Sequence, residues 1–192
     1  MGKEFELKYK ATPQVLEALE AAYGSFTPIT METAYFDTAD RALGARRWTL
    51  RRRYENGKSI CGLKTPGHNM VRGEWETEDE NMESGVRTLC TMDVPEDFPE
   101  LIKPGLQQVC GARFLRKARL ITLGDTTVEL ALDQGVFLGG GREQAFAEVE
   151  AELKSGSRQA AEAFGAELSQ AYHLETETVS KFERALALAL EG

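Results

Sequence analysis

Histidine and cysteine, which build most transition-metal sites, are scarce here: the 192 residues hold 2 and 3 of them. Cys61, Cys90 and Cys110 are odd in number and widely spaced, so they form neither a disulfide framework nor a CxxC zinc site. A reducing compartment, the cytoplasm, is the expectation. His68 falls in a turn-like segment and His173 near the end of the chain, and neither is expected to be a ligand. Long apolar runs are missing too. No stretch approaches the ~20 apolar residues of a transmembrane helix. MGKEFELKYK at the start is charged from its third residue, unlike a signal peptide, so no membrane partner is expected. A cationic surplus is also lacking. Lys and Arg number 23 against 31 Asp and Glu, a formal charge of −8, which excludes the basic face that nucleic-acid binding needs. A small anion in a locally basic cavity remains compatible with that balance. No Walker A loop, GxGxxG fingerprint or GxSxG elbow occurs.

What the chain has is a core and a pattern. Hydrophobic residues at 42% and charged residues at 28% suit a globular chain, read as a single domain over 1–192. Three segments have helical spacing. Thr12-Pro13 opens the first, with Val15, Leu16, Leu19 and Ala22 as its stripe before Gly24. Ser157 caps the second, through Ala160, Ala161, Phe164 and Leu168. The third runs from about Thr178 to Leu190, with Val179, Phe182, Leu186 and Leu190 on one face. The stretch 81–111, broken by Pro95, Pro99 and Pro104, reads as one or two short helices and loops. Elsewhere the period is two, giving strands at 3–10, 32–38, 47–54, 59–65, 71–78, 113–123, 126–135 and 145–154. Short Gly- and Pro-containing turns join several of them, hence mostly antiparallel hairpins.

Every strand with a clear pattern has one charged face. Glu4, Glu6 and Lys8 oppose Phe5, Leu7 and Tyr9; Arg51 and Arg53 oppose Leu50 and Tyr54; Lys117 pairs with Arg119, and Glu129 with Asp133. Glu148, Glu150 and Glu152 oppose Val149, Ala151 and Leu153. A charged strand face is by default a solvated one. Here, however, like charges stack two residues apart, which is repulsive without a counterion between them. The amphipathic helices also need apolar sheet faces to cover. The expectation is therefore an α+β fold: an eight-stranded antiparallel β-barrel, or tunnel, with helices packed outside and carboxylates, Lys and Arg lining the inside. Carboxylates without histidine favour hard cations, Mg²⁺ or Mn²⁺. Lys and Arg facing them suit phosphate oxygens, and together they suggest phosphoryl or nucleotidyl transfer.

The residues also carry a resemblance. Glu4-Phe5-Glu6-Leu7-Lys8 matches the ExExK signature of the CYTH family, the triphosphate tunnel metalloenzymes. Tyr35-Phe36-Asp37-Thr38, Leu50-Arg51-Arg52-Arg53, Leu63-Lys64, Arg72-Gly73-Glu74, Lys117-Ala118-Arg119, Glu129 with Asp133, Glu148-Val149-Glu150 and Ser180-Lys181 follow in order. The resemblance implies a tunnel that binds a triphosphate and cleaves it with a divalent metal. By position, it implies Asp133, Glu148 and Glu150 as ligands of one metal, and Glu4 and Glu6 as ligands of a second that positions the attacking water. Arg51, Arg53, Lys64, Arg72, Lys117 and Arg119 would cradle phosphate, with Lys181 reaching in from the C-terminal helix. Lys8 and Tyr35 match a lysine–tyrosine pair found in some members. Glu152 extends the acidic face, Ser180 either belongs to the motif or caps its helix, and Glu74 and Glu76 either line the cavity or pair with the arginines.

Trp48 and Trp75 fall on the outward parity, leaving Tyr35 as the only inward aromatic of the signature strands. That favours an unadorned polyphosphate, hydrolysed to pyrophosphate and phosphate by a monomer or homodimer. The alternatives are a class IV-type adenylyl cyclase, a thiamine or nucleoside triphosphatase, and a noncatalytic polyphosphate-binding module.

Overall fold

The structure, a computed structural model, describes residues 5–66 and 73–191. In chain order its elements are β1 (Glu6–Lys10), α1 (Pro13–Tyr23), β2 (Thr27–Asp37), α2 (Ala42–Ala45), β3 (Thr49–Glu55), β4 (Lys58–Thr65) and β5 (Gly73–Glu78). They continue with α3 (Met82–Leu89), α4 (Phe98–Leu101), β6 (Gln107–Leu123), β7 (Thr126–Gly139), β8 (Arg142–Ser155), α5 (Arg158–Tyr172), β9 (Glu175–Thr176) and α6 (Lys181–Leu190).

Local chemistry sets the boundaries. Thr12 caps α1 through Val15 N–H with Pro13 in its first turn, and Ser157 caps α5 through Ala160 N–H. Ser180 and Glu183 form a reciprocal capping box on α6, so the serine has a local structural role. His173 ends α5 in the left-handed region, at φ 52°. Asn56-Gly57 joins β3 to β4 and Gly140-Gly141 joins β7 to β8, both pairs at positive φ, as a tight hairpin with right-twisted strands requires.

The strands form one antiparallel sheet in the order β5-β4-β3-β2-β6-β7-β8-β1-β9. This corrects the expected closed eight-stranded barrel: among the described residues there are nine strands, and β5 and β9 end an open sheet. The physical reason lies at β1. Its outer edge is already used by residues 175–177: Tyr9 lies opposite Thr176, Lys10 opposite Glu175, and Glu177 N–H donates to the Lys8 carbonyl at 2.8 Å. Residues 107–111, expected among loops, belong to the long strand β6.

Three apolar clusters hold the layers together. Leu16 and Leu19 of α1 with Ala161, Phe164 and Leu168 of α5 cover Tyr9, Val128, Leu130, Leu132, Val149 and Ala151. On the other half, Leu43, Leu89 and Phe98 of α2–α4 cover Leu50, Cys61 and Leu63, with Trp48 and Trp75 packed against them. The third cluster corrects the expectation that every helix lies outside. Ala185 and Leu188 of α6 pack on Met31, Tyr35, Phe114, Phe137 and Phe146, which lie on the same sheet face as Arg51, Arg116, Asp133 and Glu148. The buried stripe of α6 is therefore Ala185 and Leu188, while Val179 and Leu190 of the expected stripe stay exposed.

Candidate active site

Strand register assembles the centre. In β7 and β8, Asp133 lies opposite Glu148 and Ala131 opposite Glu150; β6 brings Arg116 opposite Asp133, and β1 brings Lys8 opposite Glu150. Asp133, Glu148 and Glu150 are buried, and each offers a carboxylate oxygen within 4.8 Å of the others. Three buried carboxylates this close are strongly unfavourable unless cations compensate.

The cations come from β6 and α6. Arg116 forks onto Asp133, Nε to Oδ1 at 2.8 Å and Nη2 to Oδ2 at 2.7 Å, and also reaches Glu150. Lys181 Nζ lies 2.9 Å from Asp133, 2.5 Å from Glu148 and 2.5 Å from Glu150. Arg184, one turn later, contacts Glu148 and lies 3.4 Å from Glu177. Burial opposes charge on Lys181 and Arg116, but the carboxylates outweigh it and raise both pKa values. Burial pushes Glu150 up, yet Lys181 and Arg116 overcome it and hold the carboxyl down at about 2. Lys8 is lowered, mainly by burial and with help from Lys181 and Arg184.

A second, cationic field adjoins this centre on the same face. Tyr35 of β2 lies opposite Arg51, and Thr33 opposite Arg53. Glu76 sits 2.9 Å from Arg51, Glu74 2.9 Å from Lys64, and Glu55 3.1 Å from Arg53. Glu74 and Glu76 thus pair with the basic residues. Gly62 separates Arg51 from Glu76 in the register, and a Cβ there would come within 3.3 Å of the Glu76 side chain; its absence leaves room for that pair. Tyr35 is buried, its phenol raised by desolvation, and its ring packs on Phe182 with centroids 5.1 Å apart.

The structure gathers Asp133, Glu148, Glu150, Lys181 and Lys8 in one cluster and Arg51, Arg53 and Lys64 in the neighbouring one. Glu6, on β1, lies opposite Glu152 one step along from Lys8, and Glu152 is 2.8 Å from Lys154. Tyr35 and Lys8 flank the centre with three strands between them in the sheet order. Glu4 and Arg72 lie outside the described residues.

Lys117 and Arg119 require a correction. They lie opposite Leu132 and Leu130, on the face covered by α1 and α5, where Lys117 bonds Glu20 at 2.6 Å and Arg119 donates to the Ser25 carbonyl at 3.2 Å. Arg116, of the other parity, is the β6 cation at the carboxylates. Odd positions of this strand carry Arg113, Lys117 and Arg119, so counting charges selects the wrong face; the sharing of parity by Phe114, Arg116 and Ala118 was the available signal. Arg184 was missed as well, although it stands three residues from Lys181, on the same side of a helix.

Among the described residues no histidine or cysteine joins the triad. Cys110 is buried and its thiol is pushed up to about 12 by desolvation, which leaves it a poor nucleophile. The donor set is all hard oxygen, enclosed and convergent, and fits a hard divalent cation. Among the described residues no helix is long and apolar enough to cross a membrane.

Comparison with known proteins bears on the fold and the family. The structure superposes on the Hippeastrum protein HpAC1, for which a dominant triphosphatase activity is described, with a TM-score of 0.66 and 18% identity, covering 96% of this chain and 95% of that one. It superposes on the PH1012 protein of Pyrococcus horikoshii with a TM-score of 0.58 and 17% identity, covering 94% and 98%. These likenesses speak for the fold. In sequence, the chain is 30% identical over 167 residues to an inorganic triphosphatase of Haemophilus influenzae, covering 83% of this chain and 47% of the relative. It therefore spans about half the length of that curated relative. The CYTH domain model matches residues 2–186, the span that contains the carboxylate centre and the basic field, and the chain belongs to the CYTH domain family.

Proposed function

We propose that this CYTH domain hydrolyses inorganic triphosphate to pyrophosphate and phosphate, using Mg²⁺ or Mn²⁺. The observation that carries the reading is the buried triad Asp133, Glu148 and Glu150 set beside the basic field of Arg51, Arg53 and Lys64. The triphosphatase relative supports the same reaction class.

Asp133, Glu148 and Glu150 would hold the cation, which when bound polarises a phosphoryl oxygen and offsets the charge of the chain of phosphates. Arg51, Arg53 and Lys64 would exchange Glu74, Glu76 and Glu55 for phosphate oxygens, so the substrate replaces carboxylates already in place. Arg72 is proposed for the same cradle. Arg116 stays forked on Asp133 and fixes the orientation of that carboxylate. Lys181 bridges all three acids and stands where it can meet the substrate's charge. Glu4 and Glu6 are proposed as the second acidic pair, orienting the attacking water, with Lys8 and Tyr35 at the flanks. Tyr35, Phe114, Phe137 and Phe146 are packed beneath α6 rather than presented as a platform for a base. That favours an unadorned triphosphate over a nucleotide.

The test is product analysis on the purified chain with Mg²⁺ or Mn²⁺, offering tripolyphosphate and ATP separately. The expected result is rapid phosphate release from tripolyphosphate with slow ATP turnover. Cyclic AMP and pyrophosphate from ATP, or a preference for ATP or thiamine triphosphate, would overturn it. Tight metal-dependent binding without any product would make the domain a binding module.

A further inference from the structure

Among the described residues, the charges around the triad are close to balance without any added ion, with Glu6 of β1 adding its charge beside Lys8 and Arg116. Asp133, Glu148 and Glu150 are met by Arg116, Lys181 and Arg184; Glu177, also buried, joins on the acidic side and Lys8 on the basic side. A divalent cation taken up by the triad adds two positive charges to a low-dielectric site that is already close to neutral. Like charges repel there far more than in water, so a cation already present has to withdraw.

The cations are not equally able to do so. Arg116 lies on the central strand β6 and is tied to Asp133 by two aligned bonds. Lys181 touches all three carboxylates at once. Arg184 touches only Glu148 of the three, and neither that carboxylate nor the guanidinium Nε and Nη2 has a well-aligned hydrogen bond. Arg184 also has a second acceptor outside the triad. Its Nη1 lies 3.4 Å from Glu177, whose other oxygen accepts the Val179 N–H at 2.8 Å and is thereby anchored. The guanidinium rests over the Phe137 ring, 4.6 Å from its centroid, a flat surface on which it can slide while keeping its cation–π contact.

We propose that Arg184 is an exchangeable counter-cation of the active site: it balances Glu148 when the triad holds no metal and moves to Glu177 when the triad takes a divalent ion. Arg184 is then a positioning residue that acts through Glu148 and sets the metal affinity of the site. The inference rests on the reading of the triad as a metal centre.

The experiment is calorimetric titration of the full chain with Mn²⁺ alone, without triphosphate, comparing wild type, Arg184→Gln, Arg184→Lys and Glu177→Gln. Removing the competing charge in Arg184→Gln should tighten Mn²⁺ binding by about tenfold, within the usual range of coupling between two sites. Arg184→Lys, which keeps the charge, should stay near wild type. Glu177→Gln, which removes the alternative acceptor while leaving the triad intact, should weaken binding. In the wild-type chain, Mg²⁺ should shift the Arg184 Nε–Hε resonance, assigned by its loss in Arg184→Lys. That arm stands even if Arg184→Gln does not fold. Equal Mn²⁺ affinity in wild type and Arg184→Gln, weaker affinity in Arg184→Gln, or an Arg184 resonance that ignores Mg²⁺ would overturn the exchange while leaving the metal centre. No Mn²⁺ binding by any of the proteins would overturn the metal reading, and this proposal with it.

Discussion

Arg116 forks onto Asp133 with two bonds, while Lys117, the next residue, reaches Glu20 of α1 on the opposite face of the sheet. Removing the first strands a buried carboxylate; removing the second breaks a half-exposed pair. Arg116→Ala should therefore cost about 3–5 kcal/mol of unfolding free energy and most of the turnover. Lys117→Ala should cost about 0–1 kcal/mol and leave tripolyphosphate turnover unchanged. Chemical denaturation and initial rates measure both, and a Lys117→Ala variant as impaired as Arg116→Ala would reverse the assignment of faces. Glu76 gives a pH prediction. Burial raises its pKa, but Arg51, its hydrogen bond and Arg53 overcome this, so the net shift is downward. A carboxyl lowered by folding stabilises above its unfolded pKa of about 4.3, and that stability disappears as pH falls through the lower folded value. Glu76→Gln should therefore be less stable than wild type at neutral pH and show a flatter loss of stability below about pH 4.3. Parallel acid limbs in the two proteins would contradict the pair.

At the scale of the element, α6 decides most. It buries Ala185 and Leu188 on the sheet and delivers Lys181 and Arg184 to the carboxylates, so its packing and its chemistry are one arrangement. Gly139 of β7 permits that approach: a Cβ there would lie 2.6 Å from the Ala185 carbonyl oxygen and the Ala189 nitrogen, both backbone atoms that cannot step aside. Gly139→Ala should push α6 off the sheet, costing about 1–3 kcal/mol, and should speed amide exchange across α6 more than across α5. Unchanged exchange in α6 would mean that the helix is held by other contacts. The period of the sequence predicted this helix from about Thr178, and the structure starts it at Lys181, with Ser180 as its cap. Its packed face was legible only in part: Phe182 and Leu186 of the expected line do pack on the sheet, but the line ran on to the exposed Val179 and Leu190 and left out the buried Ala185 and Leu188. Where that face is centred depends on the surface that receives it.

For the whole molecule, one face of the sheet carries helices at both ends and the other carries α6, the acidic centre and the basic field. Bringing so many like charges together is tolerated because each acid has a cation within reach, and a ligand of mixed charge can take over both sets. Divalent metal and tripolyphosphate added together should raise the melting temperature more than the sum of their separate effects, since each offsets the repulsion that the other increases. Calorimetric scans with each alone and with both would check this, and strict additivity would mean that the two clusters bind independently.

Much of this was written in the chain. Alternation by two and spacing by three and four come directly from the order of polar and apolar residues, so eight of the nine strands in outline, the three longer helices and the stacking of Glu148 with Glu150 needed no tertiary information. The ordered signature led to the family, and the match over residues 2–186 agrees. The tertiary structure decided which parity of β6 meets Asp133, whether the sheet closes, and where α6 lies. Those depend on long-range register and on competition for surfaces. β9 occupies the edge of β1 that closure would have used, and α6 covers the charged face because Phe114, Phe137 and Phe146 make part of that face apolar. Periodicity identifies the faces of a strand, but only the neighbouring strands determine what each face meets.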